Sequence, residues 1–267
     1  MTTAVLLRNP LAESLSAGRL GLALIVQKSA TVDIAVAGRS CGFDALSVDL
    51  EHSVISESEA AQICVTAMLA GVTPLVRLPS HEANVANRIL DAGALGVIAP
   101  HVESAEEARA IVAACKFSPQ GARSVSYHWP HLGYRTHHDP RAVSAAFNAA
   151  TTVVVMLESP LAVERVDDIA AVPGVDIVHV GSVDLADAMG VPGQLDDPRM
   201  MACYERVIGA CRRNGKVAGI GGVGGRLDIA GQVVRMGARF LTAGIDWDLM
   251  LQAARQRVQS LRHLEDG

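Results

Sequence analysis

The sequence predicts an α/β protein folded as a closed parallel (β/α)8 barrel. Three observations carry this expectation. Eight short runs rich in Val, Ile, Leu and Ala alternate with longer amphipathic stretches from one end of the chain to the other. The short runs are apolar on both sides, as strands must be when helices cover the sheet, and such sheets are parallel. Eight strand–helix units also fit into the 267 residues, which is the arithmetic of one TIM-type barrel. A doubly wound sheet is the competing arrangement. It usually has fewer strands and a glycine-rich first turn, whereas Gln27 is followed here by Lys-Ser-Ala-Thr.

The predicted strands are residues 20–27, 45–50, 74–78, 96–100, 152–158, 176–180, 216–220 and 239–243. The helical pattern falls between them, most clearly at 57–70, 83–92, 105–116, 198–214 and 227–236. Ser56, Ser104 and Asp184 stand near helix starts, where N-caps belong. Gly71, Gly93, Gly215 and Gly237 follow helices, where C-caps belong. No linker interrupts the alternation, so residues 1–267 are expected to form one domain. The longest irregular piece, 117–139, is rich in Pro, Gly, His and aromatics. A loop of that length is often functional, and it is expected to cover substrate or to meet another subunit. Its His128, His131, His137 and His138 match no standard zinc spacing.

Composition excludes several classes of function. The chain is 50% hydrophobic and 19% charged, too apolar for a disordered protein. Its net charge is -5, and of its 20 Arg and 3 Lys only Arg212 and Arg213 are adjacent. That pattern offers no basic stripe for nucleic acid and no polybasic patch for anionic lipid. The 5 Cys are widely spaced and contain no C-x-x-C, which argues against a disulfide framework or a zinc knuckle. Free thiols in a reducing cytoplasm are the simpler expectation. The first ten residues do not read as a signal peptide. The longest uncharged stretches, 60–76 and 142–157, are interrupted by Gly or polar residues and do not read as membrane spans.

In a parallel barrel the reactive face lies at the C-terminal ends of the strands. Strand 2 ends in Asp49-Leu-Glu51-His52, strand 3 at Arg77, strand 5 at Glu158 and strand 6 in Gly181-Ser182-Val183-Asp184. Any one of these could be a solvated strand end; four together suggest a common mouth. Glu158 and Asp184 come from neighbouring strands. Two carboxylates with open positions suit a hard octahedral cation such as Mg²⁺ or Mn²⁺, although each could equally cap a helix. A His beside carboxylates, as His52 is, suits acid–base work, and a structural hydrogen bond is an equally good use for it. Arg77 on an apolar strand needs an anionic partner, either a ligand or a carboxylate of the barrel. The turn at Gly181–Asp184 opens a short helix whose free N–H groups could hold a carboxylate. The glycines from Gly219 to Gly225 could bind phosphate or serve packing alone.

Taken in order, these strings resemble one family. They are Gly42-Phe-Asp-Ala-Leu-Ser-Val-Asp49-Leu-Glu-His52, Val76-Arg77, Leu90-Asp91-Ala-Gly-Ala-Leu-Gly, Pro100-His-Val-Glu-Ser-Ala-Glu-Glu-Ala, Pro119-Gln-Gly-Ala-Arg123, Leu157-Glu158, Val172-Pro-Gly-Val-Asp176 and Gly181-Ser-Val-Asp184-Leu. The set is similar to that of the class II pyruvate-dependent aldolases of the HpcH/HpaI family, over residues 9 to 250. The resemblance implies a TIM-type barrel with an N-terminal helix and an exchanged C-terminal helix, assembled as a homohexamer. It implies a divalent metal held by Glu158 and Asp184: Mg²⁺ or Mn²⁺ first, Co²⁺ or Zn²⁺ as further options. His52 would be the general acid/base, with Asp49 or Asp91 raising its basicity, and Arg77 would stabilise the transition state. The backbone at Val183 and Asp184 would seat the substrate carboxylate. Three positions depart from the family: Met156 stands where Gln often touches substrate, Ser182 where Gly-Pro is usual, and Arg123-Ser124 where Arg-Gly is usual.

The expected reaction is reversible cleavage of a 4-hydroxy-2-oxo acid to pyruvate, or a related 2-oxo acid, and an aldehyde. A Schiff-base route would need a lysine at a strand's C-terminal end, and only Lys28 is so placed. The second-ranked activity is a related lyase acting on a 3-hydroxyacyl-CoA of the malyl or citramalyl type, which would need a basic groove for the coenzyme. A barrel retained as a non-catalytic binding protein is the third possibility.

Overall fold

A computed structural model describes residues 7–80, 84–137 and 139–265. The predicted helix start at Ala83, His138 of the long loop, and residues 1–6 of the N-terminal segment lie outside the described residues. All eight predicted strands are present, with ends moved by no more than two residues: β1 Gly21–Val26, β2 Ala45–Asp49, β3 Thr73–Arg77, β4 Gly96–Ala99, β5 Thr152–Leu157, β6 Ile177–Gly181, β7 Val217–Gly221 and β8 Phe240–Ile245. They close into a barrel in sequence order, every neighbour parallel and β8 pairing with β1. The β8–β1 seam is irregular, its register shifting between Ala23 and Leu24.

Period-2 alternation sorts the strand residues. One set, with Leu24, Leu46, Val76, Val97, Val155, Val178 and Ile220, packs outward against the helices. The other, with Ala23, Ala45, Leu75, Ile98, Val154, Ile177 and Phe240, fills the barrel. Continuing the inner set upward by twos leads to Asp49, Arg77, Glu158 and Gly181. The alternation that buries the core therefore also delivers these residues to the mouth.

The helices begin as the sequence dictates. Ser56 and Ser104 each close a capping box, with Glu59 and Glu107. Gly71, Gly93, Gly215 and Gly237 all take positive φ, as expected of residues beyond helix ends. Asp184 is a correction: it is not an N-cap but the third residue of the helix Ser182–Ala188, whose cap position is Gly181. Helix Pro10–Ser16 precedes the barrel, and the C-terminal helix Asp246–Arg262 leaves it with only Asp246 buried.

The long loop is anchored through Trp129, whose ring lies 4.9 Å from Phe147 and 6.3 Å from Phe117. It leaves the C-terminal end of helix Ala105–Cys115, and His131 Nε2 lies 3.0 Å from the Ala94 carbonyl, just before β4 begins. The loop thus packs at the N-terminal ends of the strands, and the expectation that it covers this chain's own barrel mouth is corrected. A connection from helix to strand belongs at that end in any βα repeat.

At the bottom of the barrel Leu11 joins the inner apolar layer and Asn9 ties the N-terminal helix to the starts of β3 and β5. The Asn9 amide donates to the Ala150 carbonyl at 2.7 Å and to Thr152 Oγ1 at 2.9 Å, while its oxygen accepts from Ala12 N and Thr73 Oγ1. Asn9→Ala removes a helix cap and leaves buried polar groups unpaired, so it should lower the unfolding free energy by about 2–4 kcal/mol. A urea titration reads this directly, and an unchanged midpoint would contradict the tie.

Candidate active site

Asp49 and Arg77 end adjacent strands in direct register. Arg77 Nε donates to Asp49 Oδ1 at 2.9 Å, and Nη2 donates to Oδ2. The Asp49 carboxylate, fully buried, also accepts from Gln27 Nε2 at 2.6 Å and from the backbone N–H groups of Glu51 and His52. Burial by itself would raise this carboxyl. The hydrogen bonds and charge of Arg77, with Gln27 and the His52 N–H, outweigh it and hold Asp49 below the usual carboxylate range. Burial likewise disfavours the Arg77 cation, yet Asp49, Glu51 and Glu158 raise its pKa. The guanidinium is a fixed positive charge.

Glu51 forms a second layer. Its Oε2 lies 3.2 Å from Arg77 Nη1, and its Oε1 lies 2.8 Å from His101 Nε2. His101 then reaches Glu158: its backbone N–H donates to Glu158 Oε2 at 2.9 Å, and its Nδ1 lies 3.1 Å from the same oxygen. His101 takes φ +54°, a conformation uncommon outside glycine. The two carboxylates over-determine it, as strained residues at sites require.

Glu158 is buried just past β5. Burial raises its carboxyl pKa, the charges of Glu51 and Asp184 push the same way, and His101 opposes them. Gly181 makes room for it, since a Cβ there would stand 2.6 Å from Glu158 Cγ and Oε1. Asp184 is exposed in the first turn of its helix, with its charge acting on Glu158. The mouth therefore holds one bound guanidinium and an excess of negative charge.

The remaining expected residues fall as follows. The His52 ring is half exposed. The carboxylate beside it is Glu51, with Nε2 to Oε2 at 3.8 Å, whereas Asp49 meets His52 through the backbone N–H. Met156 lies inside the barrel in register with His179. Ser182 is buried and Val183 exposed beside Asp184.

Asp91 and Arg123 are not brought to the mouth of their own chain. Arg123 Nη2 donates to Asp91 at 2.6 Å, Trp129 Nε1 donates to the same oxygen, and the Arg123 guanidinium stacks 4.6 Å from the Phe117 centroid. Asp91 ends the helix that leads into the start of β4, which puts this cluster at the opposite end of the barrel. Lys28 is exposed, Lys116 Nζ donates to the carbonyls of Asn148 and Thr151, and Lys216 Nζ donates to those of Val172 and Val175. Gly219 and Gly221 serve packing: a Cβ on either would approach the buried His179 ring within 2.6 Å.

His101 and Gln27 are the residues of this candidate site that sequence reasoning missed. Gln27 stands directly after β1 and His101 two residues beyond β4, so the strand-end rule reaches them as well as the four ends it was applied to.

A family model described as HpcH/HpaI aldolase/citrate lyase matches residues 25–253. The 4-hydroxy-4-methyl-2-oxoglutarate aldolase tasA of Hapsidospora irregularis is 38% identical over 250 residues, covering 93% of each chain. The 4-hydroxy-4-methyl-2-oxoglutarate aldolase cghB of Chaetomium globosum is 37% identical over 242 residues, covering 90% of each. The crystal structure of an HpcH/HpaI aldolase from Desulfitobacterium hafniense DCB-2 superposes with a TM-score of 0.89 at 30% identity, covering 96% of this chain and 97% of that one.

The Asp49–Arg77 pair has a pH signature. Asp49 titrates below its ordinary value of 3.8 in the folded protein. Its contribution is therefore complete above that value and is lost as the pH falls through the lower, folded one. Asp49→Asn should cost about 3 kcal/mol near neutrality, because it leaves a buried cation short of its partner. The gap to wild type should close as the pH drops below 3.8. Denaturant titrations across that range measure it, and a gap independent of pH would reject the assignment.

Proposed function

The chain belongs to the HpcH/HpaI aldolase/citrate lyase family, and from that membership we infer that it is an aldolase, a carbon–carbon lyase, that cleaves a 4-hydroxy-2-oxo acid reversibly. The products are pyruvate, or a related 2-oxo acid, and a second carbonyl compound. Two of its relatives are named for 4-hydroxy-4-methyl-2-oxoglutarate. Scission of C3–C4 in that acid gives two molecules of pyruvate, which makes it the first substrate to try. The observation that carries the reading is the mouth itself: a guanidinium fixed by Asp49 beside two carboxylates, Glu158 and Asp184, whose charges oppose each other.

A divalent cation fits those two carboxylates. The pressure on Glu158 from Glu51 and Asp184 is the condition that a dication relieves, and Gly181, lacking a Cβ, lets the Glu158 carboxylate lie against the start of the helix that carries Asp184. Among the described residues no three His, Cys, Asp or Glu side chains form a ready-made cage. A hard ion on two carboxylates takes its other oxygens from water and substrate. Glu158 and Asp184 would hold Mg²⁺ or Mn²⁺, with Co²⁺ or Zn²⁺ as further options. Bound there, such an ion would supply Lewis-acid stabilisation of developing negative charge on the 2-oxo acid.

The chain's own residues do the rest. Arg77 offers a preorganised positive charge to the developing oxyanion, useful because the need for it arises in the transition state. The N–H groups at Val183 and Asp184, at the start of their helix, seat the substrate carboxylate. Met156 and the inner layer beneath it exclude water from the pyruvate half. His52, half exposed beside Glu51, takes the proton of the 4-hydroxyl as the C3–C4 bond breaks. The bonding electrons pass to the pyruvate half, facing Arg77, and a proton from solvent at C3 completes the product.

The lysine route rests on Lys28 alone, which is exposed, since Lys116 and Lys216 are engaged by carbonyl oxygens. The acyl-CoA alternative is less supported, because the relatives above are named as 2-oxo acid aldolases. Asp91 and Arg123 would act in assembly or on a neighbouring copy. The C-terminal helix exposes Trp247, Met250, Val258 and Leu261, and an exchange of this helix within a hexamer would cover them. The five cysteines are all free, which suits a reducing cytoplasm. Among the described residues no helix is long and apolar enough to cross a membrane.

Release of pyruvate from 4-hydroxy-4-methyl-2-oxoglutarate should require Mg²⁺ or Mn²⁺ and stop with chelator. Glu158→Ala should lose both Mn²⁺ binding, read by electron paramagnetic resonance, and turnover. Normal turnover by that variant, or trapping of the chain at Lys28 by borohydride and pyruvate, would reject the metal-assisted mechanism.

A further inference from the structure

The C-terminal helix is rooted in the barrel by one side chain. The Asp246 carboxylate accepts backbone N–H groups from Gln27 at 3.2 Å, Lys28 at 3.1 Å and Ser29 at 2.7 Å, and from Trp247 of its own helix at 2.8 Å. It is the only buried residue of that helix. The three amides from the β1 turn converge on it just beyond the β8–β1 seam, where the ladder register has shifted. With the ladder ended there, Asp246 substitutes for it and fixes how the chain leaves β1.

That exit direction decides where Gln27 points. Its side-chain amide donates to Asp49 Oδ2 at 2.6 Å, the same oxygen that receives Arg77 Nη2. Asp49 Oδ1 is held by Arg77 Nε and by the N–H groups of Glu51 and His52. Among the described residues Oδ2 has only Arg77 and Gln27. Without Gln27 the Oδ2 edge keeps only the moving partner itself, Arg77 Nη2, among the described residues, and the fork of Arg77 loses the one neighbour that fixes that edge independently of it. A guanidinium on a flexible stem keeps one orientation only while its acceptor does.

We propose that Gln27 is a positioning residue for Arg77, acting through Asp49, and that Asp246 sets Gln27 by clasping the β1 turn. The root of the exposed C-terminal helix is thereby tied to the orientation of the guanidinium. The kinetic consequence rests on the role given to Arg77 above; the structural consequence does not.

The test uses Gln27→Leu, with Gln27→Met as a second donorless variant should the first fail to fold, and Asp246→Ala. The Nε–H resonance of Arg77, assigned by its loss in Arg77→Lys, reports hydrogen exchange with solvent in the intact protein. Exchange should speed by about tenfold or more in the Gln27 variants and in Asp246→Ala, as expected when a protected donor is released. Unchanged exchange in the Gln27 variants overturns the proposal. Unchanged exchange in Asp246→Ala alone overturns the clasp. In turnover, Gln27→Leu should lower kcat by about tenfold with KM within about twofold, the mark of an interaction made in the transition state. Added to Arg77→Lys it should cost nothing further, because both act through one group. Losses that multiply in full would show an independent role and overturn the proposal. A wild-type protein without aldol cleavage would reject the proposed function, and the exchange measurement would still decide the positioning.

Discussion

A buried ion pair, Asp49 with Arg77, is the constraint on which the rest of the mouth is built. Taking two charges out of water costs several kcal/mol for each ion, and their attraction compensates only when further hydrogen bonds satisfy both. Here the carboxylate accepts five: two from Arg77, one from Gln27 and two from the chain just past β2. The last two bend the backbone after β2 so that Glu51 returns to the Arg77 Nη1 side and His52 emerges at the surface. The pair thus shapes the loop that carries the proposed acid–base residue.

Glu158 is the opposite case in the same few ångströms. Asp49 is buried with its countercharge, so its ionised form is favoured. Glu158 is buried among other acids, so its ionised form is strained. His101 partly relieves this, and does so from a backbone conformation that is itself unfavourable. Structures tolerate such a concentration of cost where chemistry needs it. One carboxylate is bound to a guanidinium, and the other lies where a positive partner would relieve its cost.

The arrangement beneath the mouth follows from volume. His179 occupies the inner layer, its Nδ1 without a partner among the described residues, and is held neutral, its pKa lowered to about 3 by burial and then by the charge of Arg77. Gly219 and Gly221 on β7 give way to its ring, and Phe240 packs against it edge-on at 5.5 Å. A glycine-rich stretch that reads as a phosphate loop is, for these two residues, the negative image of one imidazole.

The strands, the major helices, the capping serines and the identity of Asp49, Arg77, Glu158 and Asp184 as mouth residues were legible in the sequence. Periodicity and strand-end position are local properties, and a parallel barrel converts them directly into place. What the sequence could not specify is which carboxylate faces which cation. Asp49 and His52 are neighbours in sequence, yet the imidazole lies beside Glu51 while Asp49 is claimed by Arg77 from the next strand. Asp91, Arg123 and the long loop carry promising residue types but hang on the helix-to-strand side, so closure of the barrel sends them to the far end. His101 and Gln27 gain their roles only when β4 and β1 are set beside β5 and β2. Local pattern decides what each strand end carries; the curvature of the closed sheet decides which ends meet, because hydrogen bonds and ion pairs depend on distances that sequence separation does not encode.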